Sequence, residues 1–136
     1  MKNLSFLSVL LVLLLGITPS CSKSGGGGGA CTETGIGFTS SPTVNVNEPP
    51  APGPDFPLSV TVTNRPSAGA TITVSAKPDA GGSAFFTQSK DAAASGATTF
   101  TITGASTNIL NMVTITVTSK SCATNTATGS YKFTRK

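Results

Sequence analysis

Strict alternation of apolar and hydroxyl-bearing side chains constrains this 136-residue chain more than any other feature. The alternation is clearest in four stretches: "LSVTVTN" (58–64), "ATITVSAK" (70–77), "TTFTITG" (98–104) and "MVTITVTSK" (112–120). Successive side chains of a β-strand point to opposite faces of the sheet, so a period of two predicts strands with one buried and one wet face. Threonine takes most of the outward positions, where its branched side chain packs well on a pleated surface.

Three weaker stretches complete a set of seven predicted strands. They are "TVNVN" (43–47), "AFFTQS" (84–89) and "TGSYKFTR" (128–135), in which we expect Tyr131 and Phe133 to face inward. Segments rich in Gly, Pro, Asn and Asp lie between the stretches and predict turns. Seven short strands at this spacing predict an all-β fold, a single antiparallel β-sandwich.

One separating segment, "EPPAPGPDFP" (48–57), contains five prolines. Proline has no N–H to donate to a ladder, so this segment is not expected to form a central strand. We expect it to be a stiff crossover from the first strand to the second sheet.

The first 20 residues predict a helical signal peptide that is cleaved on export. Lys2 precedes the apolar run "FLSVLLVLLLGI" (6–17), and the small or turn-forming "TPS" then leads to Cys21. The apolar run is only about a dozen residues long, whereas a bilayer crossing needs about 20. This layout is typical of secretory signal peptides.

A cysteine placed directly after a small-residue patch resembles the lipobox of bacterial lipoproteins, and Ser20 suits the position before it. The resemblance implies that Cys21 carries a diacylglycerol thioether and that the chain is held in the cell envelope, at the outer membrane. Stable attachment takes two or more fatty chains, which a diacylglyceryl cysteine supplies. Ordinary cleavage nearby, with Cys21 left as a plain thiol, is the alternative.

A glycine-rich run, "SKSGGGGG" (22–29), follows this cysteine. Such runs behave as flexible coil, so the run predicts a tether between the membrane and a folded body. The predicted organisation is therefore a signal peptide over 1–20, a lipidated cysteine with its tether over 21–34, and the sandwich over 35–136.

The three cysteines fit this organisation. Lipidation of Cys21 leaves Cys31 and Cys122 as an even pair in an oxidising compartment, so we expect them to form a disulfide that pins the N-terminal segment to one end of the sandwich. If the strand stays regular, the side chain of Cys122 lies on the same face as those of Thr116 and Thr118, so it is expected on the wet face. Two cysteines without a histidine do not complete a zinc shell, so no metal is predicted.

The composition argues against catalysis. The chain has no histidine, the commonest general base, and we predict a protein that is not an enzyme and needs no cofactor. Its acidic residues are widely separated and form no local motif: Glu33, Glu48, Asp55, Asp79 and Asp91.

The formal net charge of the whole chain is +4, and several basic residues lie near the C-terminus: Lys120, Lys132, Arg135 and Lys136. A basic patch there is one interpretation, with anionic lipid headgroups or acidic polymers as its ligands. We expect instead solvated lysines that protect a strand edge from aggregation. Nucleic-acid binding is not predicted, because it would need more charge with interleaved aromatic residues.

The strand order and turn lengths over 35–136 resemble the immunoglobulin-like and fibronectin type III-like modules of bacterial envelope proteins. The anchor, the tether, the single domain and the missing catalytic side chains together predict a non-catalytic binding or structural accessory role, with an envelope protein or a glycan as the partner. The alternative is a carbohydrate-binding surface lipoprotein, in which exposed Asn and Thr bind hydroxyls and Phe56, Phe85 or Phe86 protrudes as a platform. Burial of these phenylalanines in the core is the simpler expectation.

The repeated "TVT" and "TIT" strings also resemble the threonine arrays of ice-binding solenoids. A solenoid needs a fixed period, whereas these strings start at Thr61, Thr71, Thr101 and Thr114. Outward β-propensity explains them better.

Overall fold

The computed structural model describes residues 31–136, so the predicted signal peptide, Cys21 and residues 22–30 lie outside the described part. Seven strands form, and every pairing between them is antiparallel. The strands are β1 (Phe38–Ser41), β2 (Phe56–Val62), β3 (Ala70–Pro78), β4 (Phe86–Asp91), β5 (Thr98–Ile102), β6 (Leu110–Ser119) and β7 (Thr126–Thr134). The predicted all-β class is confirmed, and six of the seven predicted stretches overlap β2 to β7.

The strands form two sheets, one with the order β1-β2-β5 and one with the order β4-β3-β6-β7. Consecutive strands β2 and β3 therefore lie in different sheets. The apolar positions of the alternating stretches form one buried cluster, in which Val60, Ile72 and Ile115 are fully inaccessible to solvent. Tyr131 and Phe133 face inward, as predicted. Burial of each such aliphatic side chain stabilises the fold by about 1.5–3 kcal/mol, which explains how a body with few aromatic residues forms a core.

The first predicted strand, over residues 43–47, is wrong. The first strand is β1, which begins at Phe38, and the chain leaves it at Pro42. Residues 45–51 then run parallel to the outer edge of β7, where Asn45 donates its N–H to the Ser130 carbonyl over 2.7 Å and Ala51 donates to the Thr134 carbonyl over 3.1 Å. Residues 43–47 alternate like a strand, but the segment forms only isolated bridges to the chain beside it and no continuous ladder.

The contact between Val44 and Gly129 explains how this segment approaches β7 so closely. Val44 packs over Gly129, where an added Cβ would lie 2.6 Å from Val44 Cγ1 and 3.0 Å from Phe38 Cζ. The glycine therefore leaves the space in which the N-terminal segment closes the sandwich beside β7.

The proline-rich segment departs from expectation at its end. Phe56 and Pro57 belong to β2, the central strand of its sheet, where Pro57 pairs with Thr101 of β5. Strand β1 covers β2 only from Ser59 onward, so the missing N–H of Pro57 faces no partner strand. The preceding prolines do form a crossover, but it runs from the edge of β7 to β2 instead of leaving the first strand.

Over residues 31–136, no helix is long and apolar enough to cross a membrane.

Candidate functional site

The N-terminal segment is clamped to the turn between β6 and β7. A disulfide joins Cys31 to Cys122, whose Cα atoms are 6.0 Å apart, within the usual range for such bridges. The expectation that Cys122 lies on the wet face is wrong, because its exposure is only 7%. Strand β6 ends at Ser119, whose hydroxyl accepts hydrogen bonds from the N–H groups of Ser121 and Cys122 over 3.2 and 3.3 Å. This turn ends the alternation of faces along β6, so Cys122 lies against the N-terminal segment and not on the exposed face.

Two further side chains strengthen the clamp. Asn125 donates to Glu33 Oε2 and to the Thr34 carbonyl, both over 3.1 Å, and its own oxygen accepts the N–H of Ile36 over 3.2 Å. The Ser121 hydroxyl donates to the other oxygen of Glu33. We call residues 31–36 with 119–125 the N-terminal clamp. Its hydrogen bonds hold the chain at Glu33, Thr34 and Ile36, so the segment is attached at several points besides the disulfide.

We expect the clamp to make stability depend on pH. Hydrogen bonds from Ser121, Ser119 and Asn125 hold the pKa of Glu33 below its ordinary value. A lowered folded-state pKa means that the stabilisation is complete above the ordinary glutamate pKa of about 4.3 and is lost as the pH falls through the folded value. We expect Glu33→Gln to lose this pH-dependent contribution, so that urea midpoints of wild type and variant converge in acid. Glu48→Gln is the matched control, and an equal convergence for both variants would contradict the assignment.

The C-terminal basic residues do not form one patch. Lys120 lies at the clamp end of the sheet and pairs with Asp91 over 2.7 Å, which holds the pKa of that carboxyl below its usual range. Lys132 lies towards the opposite end, paired with Asp79 over 2.9 Å. The Arg135 guanidinium donates to the Ala105 carbonyl over 2.9 Å. Two of these positive charges are therefore each paired with a carboxylate, and Lys120 and Lys132 lie towards opposite ends of the sheet.

An open cleft of about 490 Å³ lies beside the N-terminal clamp. One of its lining residues, Arg65, donates to the Ala93 carbonyl over 2.6 Å. Glu33 also lines the cleft, so both an acidic and a basic residue contribute to its wall. The lining residues are Thr32, Glu33, Thr34, Asn64, Arg65, Pro66 and Ser67.

The outer side of the four-stranded sheet carries a grid of hydroxyl groups, which we call the hydroxyl face. Register brings equivalent positions side by side, as where Thr73 lies between Ser89 and Thr116, and Thr116 lies opposite Thr128. Thr73 and Ser89 are joined by a hydrogen bond of 2.8 Å. Rows on neighbouring strands lie about 4.8 Å apart. The residues of the hydroxyl face are Thr87, Ser89, Thr71, Thr73, Ser75, Thr114, Thr116, Thr118, Thr126, Thr128 and Ser130.

The phenylalanines considered as a sugar platform pack inward. Phe56 is buried, with its ring centroid 4.3 Å from that of Phe133. Phe85 and Phe86 are half-buried and pack against the core. Tyr131 is also buried, and desolvation raises the pKa of its hydroxyl. These aromatic rings therefore stabilise the core, and the hydroxyl face lies on the other side of the sheet.

Within residues 31–136, no group of three or more Cys, Asp or Glu side chains is placed to hold a metal ion. Comparisons of the chain with models of protein families, with curated proteins and with solved structures found no match.

Proposed function

We propose that this protein is an exported, lipid-anchored envelope protein that presents an immunoglobulin-like β-sandwich on a short tether and has a non-catalytic binding or structural accessory role. The strand order supports the immunoglobulin-like class. Strand β2 lies between β1 and β5, as strand B lies between strands A and E in an immunoglobulin-like domain. In the other sheet β3, β6 and β7 are neighbours in that order, as are strands C, F and G. In that correspondence β4 takes the place of the additional strand beside C.

The N-terminal clamp is the observation that carries the proposal. It holds the chain from Cys31 to Ile36 on the body by a disulfide and by the hydrogen bonds of Asn125. The predicted tether would therefore end at a defined point of the sandwich, and a glycine-rich coil of ten residues spans roughly 15–20 Å on average. A lipid on Cys21 would thus hold the clamp end towards the outer membrane and the opposite end away from it.

The polar contacts support a binding role over catalysis. Glu33, Asn125 and Arg65 are engaged with the chain's own main-chain or hydroxyl groups. These side chains therefore position segments of the fold. The surface left for a partner, an envelope protein or a glycan, is made of hydroxyl groups and loops.

The anchor is tested by intact mass and by membrane fractionation of the full chain. We expect the wild type in the membrane fraction with an acyl-sized mass increment, and Cys21→Ala in the soluble fraction without it. Cys31→Ala with Cys122→Ala is the matched control, because it alters cysteines without removing the acceptor, and it should keep the increment. A soluble, unmodified wild type would contradict the anchor.

The hydroxyl face supports glycan binding as a second candidate function. Its uncharged, registered hydroxyl groups can donate to and accept from sugar hydroxyls, although it lacks an aromatic platform. The test is retention on insoluble envelope polysaccharide. We expect Thr73→Val with Thr116→Val to reduce retention, and Thr99→Val with Thr101→Val on the other sheet to leave it unchanged. Equal retention of both double variants would contradict this candidate.

A further inference from the structure

The four edge strands of the two sheets differ in how far their outer edges are covered. A free strand edge presents unpaired N–H and C=O groups, on which another strand can form a ladder. The outer edge of β7 is occupied by residues 45–51, whose N–H and C=O groups bond Ser130, Lys132 and Thr134. The edge of β1 is only four residues long and ends before Pro42. Neither edge offers a long ladder.

The edge of β5 is blocked by a lysine. Lys90 reaches across from β4 and donates to the carbonyl of Thr99 over 2.7 Å, and its ammonium lies 5.0 Å from the centroid of the Phe100 ring. A charge fixed over an edge carbonyl prevents an incoming strand from pairing there. Of the four edges in the described part of the chain, that of β4 is left uncovered.

Strand β4 is open to solvent along almost its whole length. Every residue from Thr87 to Asp91 is exposed. Ala92 donates its N–H to Ala70 of β3 over 2.9 Å, and Lys90 and Gln88 follow in the same alternation. The main-chain groups of the intervening residues Thr87, Ser89 and Asp91 therefore point away from β3.

We propose that β4 pairs with β4 of a second copy of this chain, antiparallel about a two-fold axis at Ser89. In this register Ser89 faces Ser89 of the second copy and Thr87 faces Asp91, so all three residues with outward main-chain groups join the ladder. Lys90 faces Gln88, so no like charges are opposed. Centring the axis on Lys90 instead would place two ammonium groups opposite each other, which is destabilising.

This pairing goes beyond the proposed function and does not depend on the anchor. It would join two four-stranded sheets into one continuous sheet and unite two hydroxyl faces on one side. Such an interface is isologous, so it closes after two copies. A common membrane would favour it by raising the effective concentration of the partner.

Cysteine cross-linking of the full-length chain, recovered from whichever fraction contains it, tests the pairing. Opposed residues of a hydrogen-bonded antiparallel pair have Cα atoms about 5.5 Å apart, which suits a disulfide. We expect Ser89→Cys to give a covalent dimer on non-reducing gels, at least fivefold above the parent chain. Thr101→Cys, which is also exposed but lies on the edge guarded by Lys90, should not. Equal cross-linking at both positions, or none at Ser89→Cys, would overturn the proposal.

A charge change opposite Lys90 provides an independent readout that needs no added thiol. Gln88→Glu places an opposite charge against Lys90 of the second copy, and Gln88→Lys places a like charge there. Sedimentation of the full-length chain should show the dimer dissociation constant lowered about two- to tenfold by Glu and raised by Lys. Identical association of the two variants would overturn the register. Because the chain can be examined with or without its lipid, failure of the pairing and failure of the anchor are distinguishable.

Discussion

Loss of the Cys31–Cys122 disulfide is expected to lower the free energy of unfolding by about 2–5 kcal/mol. The bridge joins residues separated by 91 positions, so it closes nearly the whole described body into one loop. In the chain-entropy account such a long loop gives a large stabilisation, because the cross-link removes many conformations from the unfolded chain. The bridge also anchors the segment that precedes β1, so its loss should loosen the N-terminal clamp.

Urea denaturation of wild type and of Cys31→Ala with Cys122→Ala measures this effect. The double variant avoids a free thiol, and adding a reductant to it should change nothing, whereas reductant should shift the wild-type midpoint towards that of the variant. Asn125→Ala with the disulfide intact is the comparison for the remainder of the clamp. Equal unfolding free energies of wild type and double variant would show that the bridge does not stabilise the body.

Truncation of Ile115 to alanine is expected to cost about 2–5 kcal/mol. Ile115 is fully buried at the centre of β6, opposite Val74, and the neighbouring strands leave little freedom for the cavity to collapse. The neighbouring Thr116 points to the hydroxyl face on the same strand. Thr116→Val keeps the branched side chain, so we expect it to change stability by less than about 0.5 kcal/mol.

Thermal unfolding of the two variants provides the comparison. For a body of about 100 residues each kcal/mol corresponds to roughly 4–8 °C, so Ile115→Ala should unfold many degrees below Thr116→Val. Because the two positions are adjacent on β6, any general effect of altering this strand on stability should be the same for both variants. Similar losses at both positions would mean that the two faces of β6 are not distinct.

Alternation was sufficient to predict most of the fold, because β2, β3, β5 and β6 each have one buried face and one more exposed face. It failed at the N-terminus for a physical reason. Residues 43–47 alternate, yet the chain has left β1 at Pro42 and is held by main-chain bonds to Ser130 and Lys132 of β7. That arrangement depends on Gly129 leaving room for Val44, and such a contact across the fold has no local signal.

Less of the candidate site could be predicted. Counting cysteines suggested the pairing of Cys31 with Cys122, but the strand parity misplaced Cys122 because the hydroxyl of Ser119 organises a turn that alternation does not describe. The roles of Asn125 and Glu33 depend on that turn. The hydroxyl face requires the register of four strands, whereas the sequence shows threonine strings at irregular spacing.

Nuclear magnetic resonance of cross-strand Hα contacts tests most directly the claim that two facing sheets bury the alternating side chains. The account predicts close Hα pairs between Val74 and Ile115 in one sheet and between Ser59 and Thr99 in the other, with none joining β2 to β3. Contacts pairing Val62 with Ala70, as in a hairpin of consecutive strands within one sheet, would contradict it.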